Sequence, residues 1–223
     1  MTHNLQPHAF VPPTSSDSRS PCPALNALAN HSYLAHDGRS LSALDLIRGL
    51  REGYNISLPL AALLSIVGVV TCGNGWRADL EDFAKHDRIE HDGSLTHADA
   101  QPGDRYAPIA VDESLLQHLL DVSSDARGLS FEDLVKGRAA RDDSLAKPLG
   151  LIHAAIARGE VALTFETFRG DGEFVPKQSI QQWFGEDRLP DGWTRPSHSV
   201  GLSHTTKRVQ EVGTLCKQLS KTE

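Results

Sequence analysis

The sequence predicts an all-α fold, a single helical domain, and three observations carry that expectation. Apolar residues recur at helical spacing in one segment after another, strand-type alternation is nearly absent, and helix-start signals precede the periodic stretches. No fixed-period repeat appears. At 223 residues the chain is long enough for one domain with a full core, and its 39% hydrophobic and 23% charged residues are a globular balance.

Residues 1–20 are polar and rich in Pro and Ser, and predict an extended arm. Pro21-Cys22-Pro23 follows. Each proline fixes φ at about −65° and keeps its predecessor extended, which places Pro23 at the first position of a helix carrying Leu25, Leu28 and Ala29. Ser40 or Ser42 caps a second helix with Leu41, Leu44, Ile47 and Leu50. The run LPLAALLSIVGVVTC, with Pro59 in its first turn, is too short to span a bilayer and predicts a buried core helix. A helix from Asp79 is expected to end at Gly93. Asp112 caps ESLLQHLLDV, and Ser130 with Asp133 forms a capping box before FEDLVKGRAARD. A long helix is predicted from Ser144 to Phe168, with Pro148 in its first turns, and PKQSIQQWFGEDRLP gives another. The main domain is expected to span 21–204, with a last helix over 205–223.

A net charge of −7 gives no electrostatic support for nucleic-acid or anionic-membrane binding. The N-terminus shows no basic region leading into an apolar run, so no signal peptide is visible. Two acceptor sequons occur, at Asn30 and Asn55. Of three cysteines, Cys72 reads as a small buried hydrophobe. Cys216 reads as a semi-buried thiol or as a disulfide joining a homodimer.

Two stretches carry chemistry. Cys22 stands before free helical N–H groups, which favour a thiolate and are expected to lower its pKa. KHDRIEHDGSLTHADA offers the Glu90 carboxylate, the His91 carbonyl and the Ser94 hydroxyl, hard oxygens within one turn that suit Mg²⁺. Alternatively, His86, His91 and Asp92 would take Zn or Fe, or serve a haem-free HD-type phosphohydrolase together with His118 and Asp121, or His153. A third reading is a non-catalytic helical module with Cys22 simply buried.

Pro21-Cys22-Pro23 followed by Glu90-His91-Asp92 and Ser94 resembles the haem-thiolate peroxidase family, the chloroperoxidases and fungal unspecific peroxygenases, and in particular its short branch. PCPALNALANHSYLAHDGR and EDRLPDGWTRP extend the resemblance over roughly residues 20–196. It implies a helical domain enclosing haem b, with Cys22 as axial thiolate. It also implies Mg²⁺ held by Glu90, the His91 carbonyl and Ser94 beside a propionate. The His91 side chain would lie in the distal pocket, as a cation oriented by Asp92. The acid–base glutamate is Glu160 rather than Glu166, because Gly159-Glu160, an apolar run and Gly170-Asp171 match the family pattern. Ile156, one turn before Glu160, and Phe83 are candidate channel residues. The family's usual arginine is here His97. The implied reaction is H2O2-driven oxygenation of small apolar aliphatic or aromatic molecules, with side peroxidase and haloperoxidase activity, by a secreted enzyme.

Overall fold

The computed structural model describes residues 8–220. Its elements are α1 Pro23–Asn30, β1 Leu41–Ser42, α2 Ala43–Tyr54, α3 Leu58–Cys72, β2 Arg77–Ala78, a 3-10 helix Leu80–Ala84, α4 Glu113–Asp121, β3 Leu129–Ser130, α5 Phe131–Asp143, α6 Leu151–Phe168, β4 Phe174–Val175, α7 Lys177–Ile180 running into a π-helical turn Gln181–Gly185, and α8 Leu202–Leu219. The described strands form two small antiparallel pairs, β1 with β2 and β3 with β4. The all-α expectation is met.

Local chemistry explains the helix starts. The Ser42 and Ser130 side chains each accept the N–H three residues on, while Asp45 and Asp133 reach back to close the capping box. Asp112 accepts from the Ser114 and Leu115 N–H groups. Packing then builds the core, with α2 on α3 and α6 on both α5 and α8. Gly53 lets α1 and α2 close on each other, since a Cβ there would stand 2.3 Å from Leu28 Cδ2.

Three expectations need correction. No helix runs from Asp79 to Gly93: the 3-10 turn stops at Ala84, Lys85 is extended, and Asp87 has φ +60. This segment instead pairs with the chain around Tyr106, where His86 N–H donates to the Arg105 carbonyl and Ala107 N–H to that of Ala84. The helix predicted from Ser144 starts at Leu151, because α5 runs on to Asp143 and Pro148 lies before the next first turn. Helix α3 is only half a core helix. Leu60, Ala61, Ser65, Gly68, Val69 and Cys72 are buried, but Leu58, Leu63, Leu64, Ile66, Val67 and Val70 are exposed, Val70 by 63%. A helix apolar all round does not reveal which face the core takes.

Cys72 is buried, as predicted. So is Cys216, whose sulfur faces the Val135 carbonyl of α5, so a bridge to a second copy would require α8 to lift. Neither sequon amide is free: Asn30 donates to the Asp187 carbonyl and Asn55 to that of Pro196. Among the described residues, no helix is long and apolar enough to cross a membrane.

Candidate active site

Cys22 is the N-cap of α1, with extended φ −100 and ψ 105, and the Ala24 and Leu25 N–H groups lie near its sulfur without closing a side-chain cap bond. Buried hydrogen bonds hold its surroundings. Asn26 accepts the Ser20 N–H at 2.9 Å and donates to the Ser20 carbonyl at 2.7 Å and to Asp187 Oδ2 at 3.0 Å. Arg19 donates to Asn30 Oδ1. The seat of the thiol is therefore fixed from both sides of the chain. The expected fall in its pKa is not found. Burial pushes the Cys22 thiol up to about 11, outweighing the two N–H groups, and the nearby Glu160 and Asp187 carboxylates add to the rise. A cation bound at the sulfur would oppose this rise and favour the thiolate.

Glu160, on α6, is within electrostatic reach of that thiol. Burial raises its pKa, while Arg138, the Leu95 N–H at 3.4 Å and Arg141 pull it down. Arg138 is wholly buried on α5. It bonds the Gly93 carbonyl, and pairs with Asp142 at 2.9 Å. Arg141 donates to the Ser94 carbonyl at 2.8 Å and to Asp99 at 2.6 Å. These two arginines, which sequence reasoning missed, tie the loop 92–99 to α5 and face the carboxylate. The RAAR spacing on one helix was the only signal, and nothing local aims it at Glu160.

His91 does not supply that cation. Burial, with Arg138 and His153 nearby, lowers its pKa, so the ring is neutral. Its Nδ1–H donates to the Asp92 backbone carbonyl at 2.7 Å, which leaves Nε2 as the unprotonated nitrogen. Asp92 thus orients His91 through its main chain; its carboxylate accepts the Ala100 N–H. Glu90 is paired with His86 at 2.8 Å, and burial raises its pKa. The Ser94 hydroxyl lies 3.4 Å from His97 Nδ1. His97 is buried and held at about 4 by desolvation, bonded to the Ile109 backbone. At neutral pH it braces the loop without the charge an arginine would bring. Among the described residues, no three His, Cys, Asp or Glu side chains converge as a metal site, and His118 is exposed.

Glu166 is engaged elsewhere. It bonds Arg208 at 2.9 Å and His204 at 3.1 Å, joining α6 to α8. Ile156 is half-buried on the helix of Glu160. Phe83 is not on a helix with Glu90; it is buried, and a Cβ at Gly68 of α3 would stand 2.7 Å from its ring.

A helical domain with a proline-bracketed cysteine at a helix N-cap and a half-buried glutamate within its electrostatic reach is compatible with a thiolate-ligated peroxidase. The chain belongs to peroxidase family 2, the haem-thiolate peroxidases, whose profile matches residues 8–198. It is 30% identical to a chloroperoxidase of Leptoxyphium fumago over 88% of its length, and 27% identical to an aromatic peroxygenase of Cyclocybe aegerita over 89%. An aromatic peroxidase of Fusarium equiseti matches at 41% over a shorter stretch, 30% of the chain. The chain spans 60% of the length of the first two relatives and 16% of the third.

Proposed function

We propose that the protein is a haem-thiolate peroxygenase that uses hydrogen peroxide to oxygenate small apolar aliphatic or aromatic molecules, with peroxidase and halide oxidation as side reactions. The observation that carries this reading is the Cys22 thiol, on a partly buried residue at the N-cap of α1, with the Ala24 and Leu25 N–H groups near it and Glu160 within electrostatic reach. This donor set fits haem. Sulfur is a soft ligand for iron, and N–H groups near it stabilise the anionic form. Exposed apolar side chains on α3, together with Leu151 and Ile152 on α6, offer surface that a flat apolar group and its substrates would cover.

Haem b, when bound, supplies the one- and two-electron oxidation chemistry. Cys22 would hold its iron through the thiolate sulfur and donate electron density to it. Glu160 acts as general base and then general acid, carrying one proton between the two oxygens of peroxide. Its raised pKa makes it a better base than a surface carboxylate, while Arg138 and Arg141 work against that rise. Neutral His91 presents Nε2 as an acceptor. Ile156, one turn before Glu160, lines the substrate approach.

Mg²⁺ would be held by Glu90, the His91 carbonyl and Ser94, and would have to draw Glu90 from His86. An extracellular location belongs to the same reading. The test is optical. The reduced, CO-bound protein is expected to show the red-shifted Soret band of thiolate ligation, and a wild type that binds no haem overturns the proposal.

A further inference from the structure

Only 6% of the residues are aromatic, yet Tyr54, Phe168, Trp183 and Trp193 gather in one cluster beside α1. The buried Tyr54 hydroxyl donates to the Ala24 carbonyl at 3.1 Å, two residues beyond Cys22, and its phenol lies within electrostatic reach of the thiol. Trp183 Nε1–H donates to the Tyr54 oxygen at 3.2 Å. The Trp193 ring centre is 6.0 Å from that of Tyr54 and 5.6 Å from that of Phe168. Trp193 is half-buried and forms one wall of a cavity of about 420 Å³, shared with Tyr33, His31, Arg188 and Arg195. Neither Cys22 nor Glu160 lines this cavity.

We propose that Trp193 is a second oxidation site, where electron-rich phenols bound in this cavity lose single electrons that pass through Tyr54 and Trp183 to the haem side. The inference rests on the haem-thiolate reading above. Tryptophan and tyrosine are the side chains most readily oxidised by one electron, and transfer falls off steeply with distance, so contacting rings give the favoured route. Tyr54 is a bridge and not a resting place. Its proton is bonded to a carbonyl, which is no base, whereas an indole can be oxidised without losing a proton. Arg195, held by the Arg51 and Glu52 carbonyls, suits phenols that carry an anionic substituent, whereas Arg188 is already paired with Asp191 and Glu186. Two phenols each give one electron to the peroxide-oxidised centre and one proton to water. The sum is H2O2 + 2 ArOH → 2 H2O + 2 ArO•, with both peroxide oxygens reduced to water.

The probe is a phenol sulfonate grafted to a polyethylene-glycol chain too wide for a buried cleft. Before haem loading it should quench tryptophan emission in the wild type, and quench it far less in Trp193→Phe. In the holoenzyme, freeze-quenching with peroxide alone should give a tryptophan radical by electron paramagnetic resonance, absent in Trp193→Phe. That variant should oxidise the grafted phenol about tenfold more slowly while oxygenating a small apolar substrate at nearly the wild-type rate. Tyr54→Leu should repeat the radical loss without touching the cavity. Equal oxidation of the grafted phenol by wild type and Trp193→Phe, with small-substrate turnover intact, overturns the inference and leaves the peroxygenase reading standing. A wild type without the thiolate Soret band overturns both.

Discussion

The thiol side and the carboxylate side of the site are built on opposite plans. Around Cys22, two prolines, the cap of α1 and the bonds from Asn26, Arg19 and Asn30 leave the backbone no alternative position. Around Glu160 there is one long bond, from the Leu95 N–H, and the rest is the field of two arginines on the neighbouring helix. The first plan fixes a sulfur, the ligand atom of the proposed function; the second tunes how tightly a proton is held. A group that must take up and release a proton is served by charges at a distance, because a close ion pair would lock one protonation state.

The comparison can be broken most severely at the sulfur. Cys22→Ala is expected to abolish the red-shifted CO band and all peroxide-driven oxygenation, measured by absorption and product analysis. Glu160→Gln comes next: the band should persist while turnover falls by about 10²–10⁴-fold in steady-state assays. Asn26→Ala attacks the rigid side without touching iron. It leaves buried Ser20 and Asp187 groups unpaired and should cost about 1–3 kcal/mol in a denaturant melt, with the spectrum of the folded fraction unchanged.

The next test sharpens the tuning claim. With Glu160 as the proposed base, the acid limb of the rate profile is expected to report its protonation, and its raised pKa to place that limb above the ordinary glutamate range. Removing a nearby positive charge with Arg141→Gln raises the pKa further and should move the limb to higher pH. A limb that moves down or stays put would remove Arg141 from the account. The smallest effect is expected from chelating Mg²⁺. It should loosen haem retention at low pH, where His86 is charged and competes for Glu90, with little change in turnover near neutrality.

Much of this was legible in local sequence. Ser42, Asp112 and Ser130 announce their helices because a cap closes within three or four residues of itself. Cys22 announces its seat because proline stiffness is a property of neighbours in the chain. Glu160 is singled out by the Gly-Glu pattern of a family, and its role is the one proposed above. Arg138 and Arg141 are not singled out, since only the packing of α5 on α6 brings them to the carboxylate. The stretch after Ala84 failed for a related reason. KHDRIEHDG has no apolar face to bury as a helix, and the distant chain at Arg105–Ala107 offered its backbone groups a better partner. Helix α3, apolar all round, carried too little contrast to say which side faces inward.

The bond from Asn26 to Asp187 spans 161 residues of chain. During synthesis the cysteine is made well before the carboxylate that steadies its helix. The helix that seats the thiol is therefore braced late, and a ribosome-bound fragment ending before residue 187 would carry the cysteine without the carboxylate that steadies that helix.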